Sequence, residues 1–424
     1  MRRNIILSAA LLLCTWAVSQ AQDKKYFLDV ITELSSKKYE GRSDYGKGDR
    51  KAAAYIVKQY QTIPELKPGL AHGYLQHFTY PVNVFHKKIE LSVNGRDLVP
   101  GQDFTVREFS PSINGSWPLA YIPVESHKPE SLLPLLQSGK YSRTFIVVDF
   151  DLINRYYGIA PVELYRMPVA GIIMTHKKKP TFFKSRSGQL QPVPVLWTGP
   201  DFPGDARQIT LRIDSRMIKE YTSANVIGQI EGIRGDSCLI IIAHYDHLGH
   251  LGKEVWYPGA NDNASGVAMM LTLARHYALP ENKPKHTLLF IASAAEENNL
   301  LGSEYYVENP VIPLSRTIQV IDLDMLADNG DRLFLETGPE GRKTLEWLKA
   351  INSQHGFFKT LTQEPLSNDS DHYPFAVRQV PALYIMVDGR AFDVYHTPLD
   401  DAEHAFAVNY EKLFHLLTHF ISSF

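Results

Sequence analysis

From residue 222 onward, short apolar runs alternate with stretches of helical periodicity. "CLIIIA", "TLLFIAS", "TIQVIDLDM", "RLFLET" and "ALYIMV" are brief and dense in β-branched or aromatic residues, the signature of strands buried on both faces. Between or after them, Ser265–Tyr277, Arg342–Ser353 and Asn409–Ile421 carry apolar residues at helical spacing. Strands alternating with helices predict an α/β fold with a mostly parallel, twisted central sheet flanked by helices. In such sheets the ligand site lies beyond the carboxyl ends of the strands, so the residues just after each run bear on function.

"CLIIIA" runs into "HYDHLGH". His244 and Asp246, two apart in an extended chain, point the same way, so a metal-binding imidazole and a carboxylate able to orient its other nitrogen stand at one strand end. Taken alone, the pair would serve equally well as surface polar residues. In "YPGANDNASGVAMMLTLARHY", Asp262 lies in a glycine-flanked turn before a helix. Capping that helix is the ordinary use of such a residue, but Asn263 and Ser265 have equal claim to it, which frees Asp262 to bridge two metal ions.

"TLLFIAS" ends near Glu296 and Glu297. The dipole of a following helix accounts for acidic character there. It does not account for two carboxylates side by side at a buried strand, where like charges raise each other's pKa unless a cation is present. Asp322 and Asp324 share one face of an apolar extended segment, a costly placement unless they are paired or ligated. Tyr395, His396 and Asp400 cluster beside a proline turn in "DGRAFDVYHTPLDD", where a single His is more often structural than a ligand. Together, the strand ends deliver His, Asp, Glu, Asp and His, a donor set suited to zinc, with cobalt or manganese fitting the same ligands.

The remaining chain frames this region. With 424 residues there is room for two domains or for one with an insertion. "YFLDVITEL" and "GDRKAAAYIVKQYQ" read as helices joined by the loop "EGRSDYGKG". From about 85 to 222 the texture changes to β-like runs broken by Pro and Gly, with one helix at "APVELYRM", predicting an inserted β-rich subdomain. The expected organisation is a signal peptide over 1–21, N-terminal helices over 22–84, the insert over 85–221 and the catalytic region over 222–424. The leader carries Arg2 and Arg3, an apolar stretch and the cleavage pattern Ser19-Gln20-Ala21, which predicts export to the periplasm or beyond. Leu13 precedes Cys14 where a lipoprotein signal takes a small residue, arguing against a lipid anchor. Cys238 then stands alone, so no internal disulfide is expected. The net charge of −2 carries no basic field for nucleic acid, and no later segment has the length of a membrane span. The run from His176 to Pro180, the densest in positive charge, reads as a solvated loop.

"AHYDHLG", "GANDNASG", "EENNLLGSEYY", "DLDM", "SDHYPF" and "YHTPLDD", in that order over residues 222–424, resemble the blocks of the co-catalytic zinc exopeptidases. That family includes secreted bacterial aminopeptidases and glutamate carboxypeptidase, with glutaminyl cyclases as relatives. The insert is similar to a protease-associated domain through "SRTFIVVDF" and "PVAGIIMT". The resemblance implies a phosphorylase/hydrolase-like fold and two Zn²⁺, with His244 and Asp324 completing one metal site, Glu297 and His396 the other, and Asp262 bridging. It also implies Glu296 as general base, Asp246 as partner of His244 and Tyr395 as a donor to the oxyanion. Two zinc ions against three ligand carboxylates leave one positive charge, which a bridging hydroxide would neutralise.

The implied reaction is release of N-terminal residues from peptides with a free amino end, which Asp371 in "SNDSDHYPF" would hold. A carboxypeptidase would instead need a cationic anchor, Arg378 or Arg390. A glutaminyl cyclase typically uses one zinc, and a dead binding domain would lack ligands, of which none is missing here. Two positions depart from the family pattern. Asp322 replaces an Asn or Gln two residues before the metal Asp, and Asn299 replaces a Gly after the glutamates, where Asn tolerates a left-handed backbone.

Overall fold

Two long strands, Leu75–Phe85 and Ser215–Ile230, run antiparallel side by side from Leu75↔Val226 to Phe85↔Ser215. Their paired ends lead from one β-sheet into another. The computed structural model describes residues 23–122, 129–184 and 188–424; the expected leader, with Cys14, lies outside them.

The larger sheet has nine strands. At its centre His286–Ser293, Arg234–His244, Thr317–Leu323 and Ala382–Asp388 lie side by side and parallel. Every residue of His286–Ser293 is buried, as the unbroken apolar run predicts. The flanks reverse direction: Ser215–Ile230 runs antiparallel to His286–Ser293, and Arg332–Thr337 antiparallel to Ala382–Asp388. The sheet is therefore parallel where it carries the site and mixed outside it. An edge strand, Thr360–Glu364, pairs with Arg332–Thr337; it is mostly polar and only partly covered, so no buried apolar run announces it.

Helices cover this sheet, among them one over 23–34, Gly48–Gln61, Gly266–Tyr277, Arg342–His355 and Tyr410–Ser422. The helix Gly266–Tyr277 buries Val267, Met269, Met270, Leu271 and Leu273, each of the large side chains contributing about 1.5–3 kcal/mol by leaving water. It starts at a glycine because a Cβ on Gly266 would lie 2.1 Å from the carbonyl oxygen of Leu323. That contact sets the helix against the end of the strand that leads into Asp324. Cys238 is buried and free. Among the described residues no helix is long and apolar enough to cross a membrane.

The second sheet has eight strands drawn from residues between Glu90 and Ile213. Its inner strands Phe145–Asp149, Gly171–Thr175 and Val195–Thr198 are parallel, with an apolar cluster on each side. The helix expected in "APVELYRM" is a single turn, Pro161–Leu164, and helices also form at Pro129–Gln137 and Phe150–Tyr157.

Candidate metal centre

The four parallel strands end on one side of the sheet, and each end hands over polar residues. His244 is the last residue of Arg234–His244, Asp324 directly follows Thr317–Leu323, and Glu296 and Glu297 follow His286–Ser293. His396 comes after Ala382–Asp388 and a short turn, while Asp262 lies in the irregular turn Ala260–Ser265. All five ligands expected from the sequence meet there. His244 Nε2 stands 3.3 Å from Asp262 Oδ1 and 3.5 Å from Asp324 Oδ1. On the other side His396 Nε2 stands 3.1 Å from Asp262 Oδ2 and 3.3 Å from Glu297 Oε2. Asp262 thus turns one oxygen to each group.

A third imidazole joins them. His247 Nδ1 lies 2.7 Å from Glu297 Oε1 and 3.7 Å from Asp262 Oδ2. The donor atoms of His244, Asp262 and Asp324, and likewise those of His247, Asp262 and Glu297, fall within 4.8 Å of one another. Reading the strand ends missed His247. It stands in the quoted "HYDHLGH", but alternation along an extended chain sets it opposite His244 and Asp246, and only the turn that follows brings it back.

These donors fit a bound cation better than they fit each other. Asp324 Oδ1, Glu297 Oε1, His247 Nδ1 and His396 Nε2 are buried without a hydrogen-bond partner. His247 Nδ1 and Glu297 Oε1 are close, as expected of two ligand atoms converging on a third atom. Leaving such groups unsatisfied costs about 1–3 kcal/mol each. A nitrogen and carboxylate set of this kind suits zinc.

The electrostatics separate the two glutamates. Burial raises the Glu297 carboxyl, but the imidazoles of His396 and His247 reverse this and bring it down to about 2. Burial lowers His396, yet Glu297 and Asp262 overcome it and push it up to about 10. Glu296 is driven well above the usual carboxylate range by burial, with Glu297, Asp371 and Asp324 adding to it and His244 opposing. Adjacent carboxyls of opposite proton affinity suit one to bind a cation and the other to carry a proton.

Asp246 sits differently from its expected role. The nearest acceptor to His244 Nδ1 is the backbone carbonyl of Asp246, at 3.1 Å, with the carboxylate at 3.9 Å. The carboxylate accepts from the backbone N–H groups of Glu296 and Glu297, at 3.1 and 3.3 Å. Asp262 is clamped through its backbone as well. Its N–H donates to Asp400 Oδ2 at 3.0 Å, and its carbonyl accepts from Arg42 Nη2 at 3.1 Å. Arg42, fully buried, also donates to the carbonyls of Leu34, Tyr245, Pro258 and Gly259. Gly41 beside it has φ +64°, and a Cβ there would lie 2.5 Å from the Tyr257 carbonyl. Nothing in the loop "EGRSDYGKG" marks Arg42 for this role except a charge between a glycine and a turn.

The centre opens into a cleft of about 530 Å³ walled by Met325, Phe334, Tyr384, Met386 and Tyr395, with Asp369 also lining it. Tyr395 lies flat on His396, ring centroids 3.7 Å apart. Asp371 is fully buried and accepts from Ser293 Oγ, and it does not line the cleft. Arg390 is exposed outside the cleft, its backbone N–H donating to Asn329 Oδ1. Arg378 donates to the Pro374 carbonyl and faces Glu308. The extra carboxylate, Asp322, accepts from the His372 N–H at 2.8 Å and stands 3.4 Å from its Nδ1, with Glu336 3.4 Å from Nε2. Burial lowers His372, but the carboxylates of Asp322 and Glu336, each 3.4 Å from a ring nitrogen, prevail and raise it to about 9. Asp322 thus faces an imidazole whose proton affinity is raised. Asn299 adopts φ +67°, the left-handed conformation expected of it.

Comparison with known proteins shows what the chain is similar to. Residues 225–421 match the model of peptidase family M28. Aminopeptidase YwaD of Bacillus subtilis (strain 168) is 32% identical over 212 residues, covering 47% of this chain and 43% of that protein. A probable leucine aminopeptidase 2 of Aspergillus oryzae is 30% identical over 150 residues, covering 33% and 28%. The chain therefore spans less than half the length of these curated relatives. Among solved structures, the zinc aminopeptidase BSAP of Bacillus subtilis superposes with a TM-score of 0.70 at 20% identity, over 94% of this chain and 95% of that one. The aminopeptidase of Aneurinibacillus sp. strain AM-1 gives 0.67 at 21%, over 94% and 92%. The shared fold thus takes in the second sheet as well as the first.

Proposed function

We propose that this chain, whose residues 225–421 match the model of peptidase family M28, is a zinc-dependent aminopeptidase releasing N-terminal residues from peptides. The observation that carries this reading is the convergence of unsatisfied buried donors on both sides of Asp262. In this reading His244 and Asp324 hold one zinc ion, Glu297 and His396 the other, and Asp262 stands between. His247, whose Nδ1 converges with Glu297 and Asp262, would stand as a further donor on that second side. When bound, the ions would polarise the scissile carbonyl and lower the pKa of water from about 15.7 toward about 7.

The chain's own groups do the rest. Glu296, with no metal to bind, accepts the proton of the attacking water as the C–O bond forms. It delivers that proton to the amine nitrogen as the C–N bond breaks. Tyr395, in the cleft wall beside His396, donates to the oxygen that gains charge. Asp369 lines the cleft and takes the free amino group, a role the burial of Asp371 denies it. Neither Arg378 nor Arg390 faces the cleft, which disfavours a carboxypeptidase anchored through them. A leader over 1–21 would deliver the enzyme to the periplasm or the exterior.

The test is metal analysis of the purified protein together with cleavage of aminoacyl and N-blocked peptides, with and without chelator. Two zinc ions per chain and chelator-sensitive cleavage of unblocked substrates alone are expected. Fewer metals, or cleavage of blocked substrates only, would overturn the reading.

A further inference from the structure

In the second sheet one guanidinium forms no ion pair, although the neighbouring Glu108 acts on it electrostatically. Arg107 follows the strand Phe104–Val106, and its guanidinium carbon lies 4.5 Å from the ring centre of Trp197 and 5.7 Å from that of Phe183. Nε and Nη1 of Arg107 are buried with no acceptor. Among the described residues it forms no ion pair. Two further nitrogens close by are in the same state, Trp197 Nε1 and His176 Nε2, with the His176 and Trp197 rings 4.5 Å apart. His176 opens the run expected to be a solvated loop. Its three lysines are indeed exposed, but the imidazole turns inward.

Withdrawing a guanidinium from water without an ion-pair partner costs more than contacts with ring faces return. Three residues with unsatisfied nitrogens together point to an absent acceptor. Arg107, Trp197, His176 and Phe183 are each only partly buried.

The position relates this group to the metal centre. The Phe183 ring lies 5.7 Å from the Arg107 guanidinium carbon on one side and 4.7 Å from the His396 ring on the other. The two ends are thus separated by about 10 Å at most, roughly the reach of three extended residues. The segment bearing Phe183 is held in place: the Phe182 N–H donates to the His396 carbonyl at 3.2 Å, and Lys184 forms a buried ion pair with Asp44.

We propose that Arg107, with Trp197 and His176, receives the C-terminal carboxylate of a short peptide whose amino end lies at the metal centre, selecting di- and tripeptides over longer chains. This rests on the aminopeptidase reading above. The planar fork of a guanidinium matches the two oxygens of a carboxylate, and the indole N–H supplies another donor.

The experiment compares a tripeptide acid, its C-terminal amide, and an amide carrying an acidic third side chain, on the zinc-loaded enzyme and on Arg107→Met. For the wild type kcat/KM should be at least tenfold higher for the acid than for either amide. Arg107→Met should erase that difference while leaving cleavage of an aminoacyl p-nitroanilide, which has no carboxylate, unchanged. Binding of the N-acetylated tripeptide acid and amide, measured by calorimetry on the wild type, gives the same comparison without turnover or a variant. Equal handling of acid and amide by the wild type overturns the proposal, as does full recovery by the acidic side chain, or an equal loss on all substrates in Arg107→Met. Cleavage of the N-acetylated tripeptide would instead overturn the aminopeptidase reading, while a surviving preference for acid over amide keeps the anion site.

Discussion

The carboxylate of Asp246 stands 3.1 Å from the backbone nitrogen of Glu296, accepting its N–H, and reaches the N–H of Glu297 with its other oxygen. One strand end thereby sets the backbone of the next. Asp246→Ala should release both glutamates and weaken zinc binding roughly 10–100-fold, the usual effect of losing a group that orients ligands. Asp246→Asn keeps one acceptor oxygen and should fall between. Competition with a chelator measures the affinity; unchanged zinc affinity in the alanine variant would show that the glutamates hold their positions without it.

Glu296 and Glu297 should respond oppositely to the same chemical change. Glu296→Gln leaves the donor set intact, so zinc stays bound while kcat falls about 10²–10⁴-fold, the range of general acid–base catalysis. Glu297→Gln removes a charge that faces His396 and His247 and should lower zinc content first, with activity returning in part at high zinc. Metal analysis beside kinetics decides; loss of zinc from Glu296→Gln would reassign that residue as a ligand.

How much of this centre is legible in the sequence depends on where its residues lie. His244, Glu297, Asp324 and His396 come after apolar runs, and the fold brings all such ends together, so linear pattern and geometry coincide. His247 is legible only once the chain is known to leave the strand after His244. Arg42 is hidden for a different reason: its partners are carbonyls, and every residue has one, so no complementary side chain signals the contact. Arg107 lies in a region whose sequence reads only as β-rich, where a charge at a strand end looks like solvent exposure.

Asp322 should be dispensable for chemistry and matter for stability. It accepts from the His372 N–H and faces the His372 ring, so Asp322→Asn should keep kcat within a few-fold and lose about 1–3 kcal/mol of stability. The pH dependence has a definite sign. His372 is raised to about 9 in the folded chain by the facing carboxylates of Asp322 and Glu336, against burial, so its contribution is fully present below the unfolded value of about 6.5. It is lost as pH rises through about 9, amounting to about 3 kcal/mol at most. Denaturant unfolding at about pH 6 and about pH 9.5 should show the wild type losing more stability over this window than Asp322→Asn, in which the folded value is lower. An equal pH response in both would mean that His372 is not held charged by Asp322.

Arg42 should prove the strongest single tie between the N-terminal helices and the metal centre. Its donors reach five carbonyls, among them those of Tyr245 and Asp262, so it grips both the loop after His244 and the turn of the central carboxylate. Burial lowers its guanidinium to about 10, and Asp262, Asp400, Asp246 and Glu297 keep it from falling further. It therefore stays charged at neutral pH. Arg42→Met leaves those carbonyls buried and unpaired, at a cost of about 3 kcal/mol or more. Lysine supplies the charge without the fork, so Arg42→Lys should recover only part of the stability and leave the Asp262 turn loosely held. The loss should then appear in zinc affinity even at temperatures where the lysine variant remains folded, read by circular dichroism and chelator competition on the same sample. Wild-type zinc affinity in a folded Arg42→Lys would show that Asp400 alone suffices to place Asp262.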